Sequence, residues 1–214
     1  MDTTKHTRVD EESYKQATEK QETQDLIEKQ LIESQMLEPL NVLETEIDLT
    51  HCRLNTLQFL NLARFKHLEY LSLRQNSLRN LDSQVSQKLQ NLDLYDNKIA
   101  IIPDNLPSSL VELDLSYNLI HDIDNVSHLL NLTQLFLVAN SIKTISNLSN
   151  LVNLKTLELG ANKIKVISGL DALVNLENLW LGKNKIRVIE GLENLCNLKI
   201  LSIQSNFISK IQGF

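Results

Sequence analysis

The chain has 214 residues, of which 42% are hydrophobic, and it carries a formal net charge of −6 at pH 7. This length and apolar content are enough for one domain with a substantial core. The acidic balance argues against binding to a nucleic-acid backbone, which needs clustered lysine and arginine. The two cysteines, Cys52 and Cys196, lie far apart and form no CxxC pair, so we expect a reducing compartment.

The first 24 residues are polar and charged without hydrophobic periodicity, and we expect an acidic-polar tail that is disordered. They contain no apolar run typical of a signal peptide, and no stretch of the chain is apolar enough to span a membrane. Residues 25–40 place Ile27 and Leu31 on one helical face at i, i+4, which predicts a helical cap for the first repeat. The alternative is an amphipathic helix that binds a partner.

Residues 41–214 repeat the pattern L-x-x-L-x-L-x-x-N-x-[LI], the strand signature of leucine-rich repeats. The seven clean copies run from LEYLSLRQNSL to LKILSIQSNFI, and an imperfect first copy spans Leu43 to Leu54. The signature asparagines are spaced by 21 or 22 residues, and the first copy has a cysteine in their slot, which is the usual substitute. In chain order the slot holds Cys52, Asn76, Asn97, Asn118, Asn140, Asn162, Asn184 and Asn206.

Each repeat predicts one coil of a solenoid. In the copy that starts at Leu132, the alternating leucines of a short strand point into the core. Asn140 follows at a turn, where its amide can bond backbone groups of its own coil and of the next, so the slot residues should form a ladder of buried amides. The rest of each coil suits 3₁₀ or irregular turns. We therefore predict an α/β leucine-rich-repeat solenoid, a right-handed superhelix with about eight short parallel strands on its concave face.

Two coils depart from this pattern. The coil from Ile102 to Leu110 contains two of the three prolines, so its convex segment should be extended and non-helical. The eighth coil ends at Phe214 with no polar capping helix, so we expect the C-terminal cap to be missing. Exposed apolar residues around Leu198 and Leu201 should then promote self-association.

The middle residue of each LxL triplet faces solvent in this register, because the leucines on either side point into the core. Stacked strands place these residues side by side as one row. Phe136 and the single tryptophan, Trp180, alternate there with carboxylates, which is typical of an interface hot spot. A solvated face with two incidental aromatics is the alternative. The part of the row that we expect to bind a partner is Asp93, Asp114, Phe136, Glu158, Trp180 and Ser202.

Enzyme motifs are missing from the sequence, which contains no HExxH, no glycine-rich phosphate loop and no GxSxG. The five histidines do not cluster at metal-ligand spacing. Asp93 and Asp114 on neighbouring strands would be about 5 Å apart, near the separation used by retaining glycosidases. An open sheet implies no pocket around them. We therefore expect no catalytic residue, no metal and no cofactor.

The short coils, with NLSNL, LELGANKIK, LWLGKNKI and LSIQSN, resemble the leucine-rich-repeat regulatory subunit 7 family of protein phosphatase 1. The match is closest over residues 110–214. In that family the concave row grips the catalytic subunit through an acid, Phe, acid, aromatic series, which carries over onto Asp114, Phe136, Glu158 and Trp180. The family's typical fourth residue is Phe, so Trp180 is a conservative departure.

The resemblance implies a non-enzymatic regulator, found in nucleus and cytoplasm, that binds a type-1 serine/threonine phosphatase catalytic subunit. It implies neither a nucleic acid nor a membrane as a partner. Periodicity alone predicts only a binding solenoid. Another cytosolic or nuclear leucine-rich-repeat adaptor, of the spliceosomal, dynein-associated or tubulin-associated kind, is therefore the alternative.

Overall fold

The structure, a computed structural model, describes residues 35–212 together with Thr23, Ile27 and Leu31. These three residues and Gln35 are helical and exposed. The predicted tail at 1–24, apart from Thr23, and most of the predicted cap at 25–40 lie outside the described residues. The cap therefore stays a prediction.

The chain divides by compactness into two units. One consists of Met1–Leu40 with Gln58–Asn61, and the other of Asn41–Leu57 with Leu62–Phe214. In the first unit, the described turn that follows Gln35 is closed by a hydrogen bond of 3.1 Å from the Glu38 backbone N–H to the Gln35 carbonyl. The second unit contains the repeats and the candidate site.

Eight parallel strands form one sheet in chain order, with neighbouring strands one repeat apart. This arrangement confirms the predicted parallel solenoid of about eight coils. Two further short strands, each of which comes after the signature asparagine of its coil, pair as a second, parallel sheet. The strands are β1 (Glu46–Asp48), β2 (Tyr70–Ser72), β3 (Asn91–Asp93), β4 (Glu112–Asp114), β5 (Gln134–Phe136), β6 (Thr156–Glu158), β7 (Asn178–Trp180), β8 (Val188–Ile189), β9 (Ile200–Ser202) and β10 (Lys210–Ile211). The eight-stranded sheet has the order β1-β2-β3-β4-β5-β6-β7-β9, and the small sheet pairs β10 with β8.

The core consists of leucines and isoleucines at equivalent slots of successive coils. Leu135 on β5 is in register with Leu157 on β6, and both are 0% exposed. Leu137 and Leu159, two residues further on, are also fully buried. Each coil therefore covers the apolar residues of the next. Apolar residues in a single isolated coil would have no such cover, and stability depends on the stack.

The segments opposite the sheet contain turns and bends. Among the residues described after Gln35, the only helical element is a single 3₁₀ turn, Leu62–Arg64. The proline-containing coil is non-helical, as its sequence predicts, with turns at residues 104–105 and 108–109. At the other end of the stack, Leu198, Leu201 and Ile203 are half-buried.

The signature asparagines link consecutive coils through buried hydrogen bonds. Asn162 shows the pattern. Its Nδ2 donates to the carbonyl of Leu137 in the preceding coil at 2.9 Å and to two carbonyls of its own turn, while its Oδ1 accepts from the Ile142 N–H at 3.0 Å. Cys52 lies in the first of the eight coils, and its thiol makes a 3.6 Å contact with the Thr50 carbonyl. Six slot residues, Asn76, Asn97, Asn118, Asn140, Asn162 and Asn184, are at most 9% exposed, and Asn206 is half-buried.

A second set of asparagines makes similar bonds on the side away from the sheet, and the sequence analysis did not predict it. Asn147 has a positive φ of 61°, and its Nδ2 donates to the carbonyl of Ile123 at 2.8 Å. Asn125 bonds Ile102 in the same way at 2.8 Å. Glycines with positive φ hold this slot in the next two coils, at Gly169 and Gly191. The backbone conformation is therefore kept while the residue changes.

Candidate partner-binding site

The predicted partner-binding residues lie in one continuous row across the sheet, which we call the strand-face row. Register pairs join each member to the next, from β3 through β7 to β9. Neighbouring strands lie about 4.8 Å apart, so the side chains of adjacent members are close neighbours. The row reads Asp93, Asp114, Phe136, Glu158, Trp180 and Ser202.

The side chains of the row point away from the core, and neighbouring members partly cover one another from solvent. Phe136 and Trp180 are half-buried, whereas Leu135 and Leu179 beside them are fully buried. Ser72, an earlier member of the same slot, was expected to face solvent but is only 1% exposed. Its hydroxyl lies 2.8 Å from that of Thr50, so small side chains at this end of the row are covered by their neighbours. Register predicts which way a strand residue points, but its exposure also depends on the adjacent strands.

Two carboxylates of the row are partly desolvated. Burial raises the pKa of Asp114, and the negative charge of Asp93 adds to this effect, against the lowering by hydrogen bonds from Ser116. Burial also raises the pKa of Glu158, with a smaller contribution from the charge of Asp114. Neither carboxylate is in a salt bridge with any described residue. These charges lie on either side of Phe136, and a cation from a partner would stabilise both.

Asp93 is in a different situation, because it is already paired. The Arg74 guanidinium contacts its carboxylate at 2.8 Å and lies 4.1 Å from the centroid of the Tyr95 ring. Tyr95 in turn packs against Tyr117 with ring centroids 4.9 Å apart. This cluster could not be predicted from the middle LxL slot alone. The signal was present in the next two slots, where LYDN and LSYN place tyrosines in consecutive coils.

Two other kinds of site can be assessed for the part of the chain that the structure describes. No three histidine, cysteine or acidic side chains come together there in a way that could hold a metal ion. In the same residues, no helix combines the length and the hydrophobicity needed to cross a bilayer.

Sequence comparison agrees with this architecture. Residues 174–214 match the family model described as "Leucine Rich repeats (2 copies)", and residues 88–108 match "Leucine Rich Repeat". The chain has the leucine-rich-repeat fold. Among solved structures, this leucine-rich-repeat chain is similar to internalin C2 of Listeria monocytogenes, with 28% identity and a TM-score of 0.71. That similarity covers 77% of this chain and 73% of the internalin chain.

Two curated relatives of this leucine-rich-repeat protein are named protein phosphatase 1 regulatory subunit SDS22. The protein from Saccharomyces cerevisiae is 42% identical over 88 residues, which is 39% of this chain and 26% of that protein. The protein from Schizosaccharomyces pombe is 49% identical over 86 residues, which is 40% of this chain and 19% of that protein. The chain therefore matches about a quarter or less of the length of these relatives. The similarity confirms the resemblance to leucine-rich-repeat regulatory subunits of protein phosphatase 1.

Proposed function

We propose that this chain is a non-catalytic scaffold that binds the catalytic subunit of a type-1 serine/threonine phosphatase through the strand-face row and regulates it. One observation carries the proposal. On a single row of the sheet, Phe136 and Trp180 alternate with two partly desolvated carboxylates that form no salt bridge with a described residue. The similarity to the SDS22 regulatory subunits supplies the identity of the partner.

The aromatic residues provide the apolar part of the interface. Phe136 and Trp180 stand two strands apart with Glu158 between them. Each ring is half-buried against its neighbours, which limits its freedom before a partner arrives. Covering such a preordered aromatic at the centre of an interface contributes about 2 kcal/mol or more, a factor of about 30 in affinity.

The carboxylates require basic side chains on the partner. Asp114 and Glu158 have raised pKa values, mainly because they are partly buried and to a smaller extent because Asp93 repels Asp114 and Asp114 repels Glu158. A lysine or arginine on the partner would pair with them and lower both pKa values again. Binding would then release protons, so affinity should fall as the pH drops into the range where the free carboxylates take up protons. The acids should also increase the association rate at low ionic strength.

The proposal assigns no catalysis to this chain. The pair closest to a catalytic arrangement, Asp93 and Asp114, lies in register on adjacent strands of an open sheet. Asp93 is engaged by Arg74 and by the Tyr95 backbone N–H, and Asp114 by the Ser116 backbone N–H. Both are thus supported as fixed charges rather than as a general acid and base. Following the family resemblance, we propose that the protein acts in nucleus and cytoplasm.

Titration calorimetry of the 214-residue chain with a purified type-1 catalytic subunit tests the proposal directly. A type-2A catalytic subunit, used at the same concentration, is the specificity control. We expect saturable binding of the type-1 enzyme only. No heat with the type-1 enzyme, or equal binding of both enzymes, would contradict the proposed partner and favour a different adaptor role.

A further inference from the structure

A group of positive charges lies on the flank of the solenoid that follows the signature asparagines. In the three coils that contain Asn140, Asn162 and Asn184, the sequence after the asparagine reads x-Ile-x, and the isoleucine is buried while the residue after it is exposed. Ile164, for example, is 0% exposed between the exposed Lys163 and Lys165. The exposed cations that follow the asparagine in three consecutive coils form a surface that we call the basic flank, consisting of Lys143, Lys163, Lys165, Lys185 and Arg187.

The backbone holds these cations in register. The Lys163 N–H donates to the Ile142 carbonyl at 2.8 Å, and the Lys185 N–H donates to the Ile164 carbonyl at 2.8 Å. Phe207 occupies the same slot in the next coil and bonds the Ile186 carbonyl at 2.9 Å. Successive members of a slot are therefore spaced like strands, about 4.8 Å apart. The cations form an ordered array instead of a scattered set of surface lysines.

These charges are not neutralised within the protein. Among the residues that the structure describes, no carboxylate lies within salt-bridge distance of any member of the basic flank. Lys163 donates to the Ser141 hydroxyl at 3.0 Å, which is a neutral partner. Like charges held this close repel each other. An anionic ligand would remove that repulsion, whereas the acidic groups of the strand-face row belong to a different side of the coils.

The basic flank surrounds an apolar groove. Lys165, Lys185, Arg187 and Phe207 line a groove of about 290 Å³. Phe207 exposes 67% of its surface and Val166, next to Lys165, exposes 52%. A ligand that fits this surface needs negative charges for the rim and an apolar group for the groove.

We propose that the basic flank binds an acidic polypeptide segment that places an apolar side chain against Phe207. Carboxylates match the four lysines and one arginine of the flank. A nucleic acid fits less well, because the groove offers only one aromatic ring on which a base could stack. The flank is separate from the strand-face row, so the scaffold can hold an acidic segment while the row is occupied.

Fluorescence anisotropy with the labelled peptide EEEFEEE and the 214-residue chain tests this proposal without any phosphatase. We expect saturable binding that weakens about tenfold or more in the double variant Lys165→Glu, Arg187→Glu. The matched control, Lys66→Glu with Lys88→Glu, makes the same change in net charge at exposed sites elsewhere and should stay within about twofold of the parent. Phe207→Ala should weaken binding of EEEFEEE but not of EEESEEE.

Several outcomes would overturn the proposal. Equal losses in the two double variants would show that only net charge matters. Unchanged binding in the Lys165→Glu, Arg187→Glu variant would remove the flank from the site, and tighter binding of an oligothymidylate of equal charge would exclude a polypeptide as the preferred ligand. Thermal melts verify that the variants fold. If the Lys165→Glu, Arg187→Glu variant does not fold, the double variant Lys165→Gln, Arg187→Gln replaces it. Because the probe is a peptide alone, failure here leaves the phosphatase proposal untouched.

Discussion

Asn140 donates from its side-chain Nδ2 to the carbonyl oxygen of Leu115, one coil earlier, at 3.0 Å. The same nitrogen contacts the carbonyls of Leu137 and Val138, and the side-chain oxygen accepts from the Ile120 N–H at 2.9 Å. One amide thus satisfies four backbone groups from two coils while remaining 8% exposed. Leucine burial supplies most of the cohesion, and this amide fixes how one coil is positioned on the next.

Replacing Asn140 with alanine should leave the buried Ile120 N–H without its acceptor, whereas the carbonyls of Leu115, Leu137 and Val138 keep other donors. We expect Asn140→Ala to lower the free energy of unfolding by about 1–3 kcal/mol. Asn150→Ala is the matched control, since Asn150 is exposed and its side-chain amide donates to the Ser127 carbonyl at 3.1 Å. Urea denaturation measures both. Equal midpoints for the two variants would mean that the buried amide has no special role.

The glycine at 169 should be sensitive to an added methyl group. Gly169 has a φ of 71°, and a Cβ there would lie 2.7 Å from the Ile145 carbonyl oxygen. Gly169→Ala should therefore cost about 1–3 kcal/mol of stability. Gly160→Ala should be nearly neutral, because the nearest atom to a Cβ there would be the Gly182 carbonyl oxygen, at 3.5 Å. Thermal or urea melts compare the two, and similar losses would contradict the steric explanation.

A third variant, Gly169→Asn, tests whether a side-chain hydrogen bond can offset the steric clash. Asn125 and Asn147 hold the same slot in earlier coils at φ values of 58° and 61°. The side-chain Nδ2 of each donates a hydrogen bond to a carbonyl of the preceding coil. We therefore expect Gly169→Asn to be less destabilising than Gly169→Ala, which has the same clash and gains no bond.

The repeat explains why so much of the fold could be predicted. The LxL spacing defines which face of each strand is buried, and one correct register, such as Leu135 opposite Leu157, sets the register of every coil. The exposure of Ser72 and the pairing of Asp93 with Arg74 could not be predicted in this way, because they depend on residues one coil away at different slots. The second asparagine set was missed for a related reason. Glycine replaces asparagine at 169 and 191, so the slot keeps its φ but not its residue type.

The strand-face acids should reduce stability at neutral pH. The pKa of Asp114 is raised above its ordinary value of 3.8 by burial. Between that value and the raised pKa, the folded state binds more protons than the unfolded state. The stabilisation that comes from the proton on Asp114 is therefore fully present below pH 3.8, and it is lost as the pH rises through the raised pKa.

Asp114→Asn removes this charge but keeps an oxygen that can accept the Ser116 N–H. We expect the variant to be more stable than the parent near pH 7 and the difference to disappear near pH 3. Urea denaturation at a series of pH values measures the difference. Asp93→Asn is the control and should give no such gain, since Arg74 already pairs with Asp93 at 2.8 Å. A constant difference across the pH series would show that the charge of Asp114 is not its source.

Neighbouring residues on β7 separate binding from folding. Leu179 is 0% exposed in the core, and Trp180 is half-buried on the opposite face of the strand. Truncating Leu179 to alanine should cost about 2–5 kcal/mol of stability because it leaves a cavity. Truncating Trp180, whose side chain is half-buried, leaves the core leucines in place, so the change in stability should stay within about 1 kcal/mol.

Trp180→Ala should instead weaken the binding of a type-1 phosphatase catalytic subunit by about 30-fold or more, because it removes an aromatic anchor from the interface. Glu158→Lys, in the next position of the row, should weaken binding as well by repelling a basic partner. Lys66→Ala, an exposed residue outside the row, should leave affinity unchanged. Calorimetry at matched ionic strength gives each affinity, and urea melts verify that the variants are folded. Parent-like affinity in Trp180→Ala would refute the row as the binding surface, and unfolding of that variant would mean that Trp180 belongs to the core.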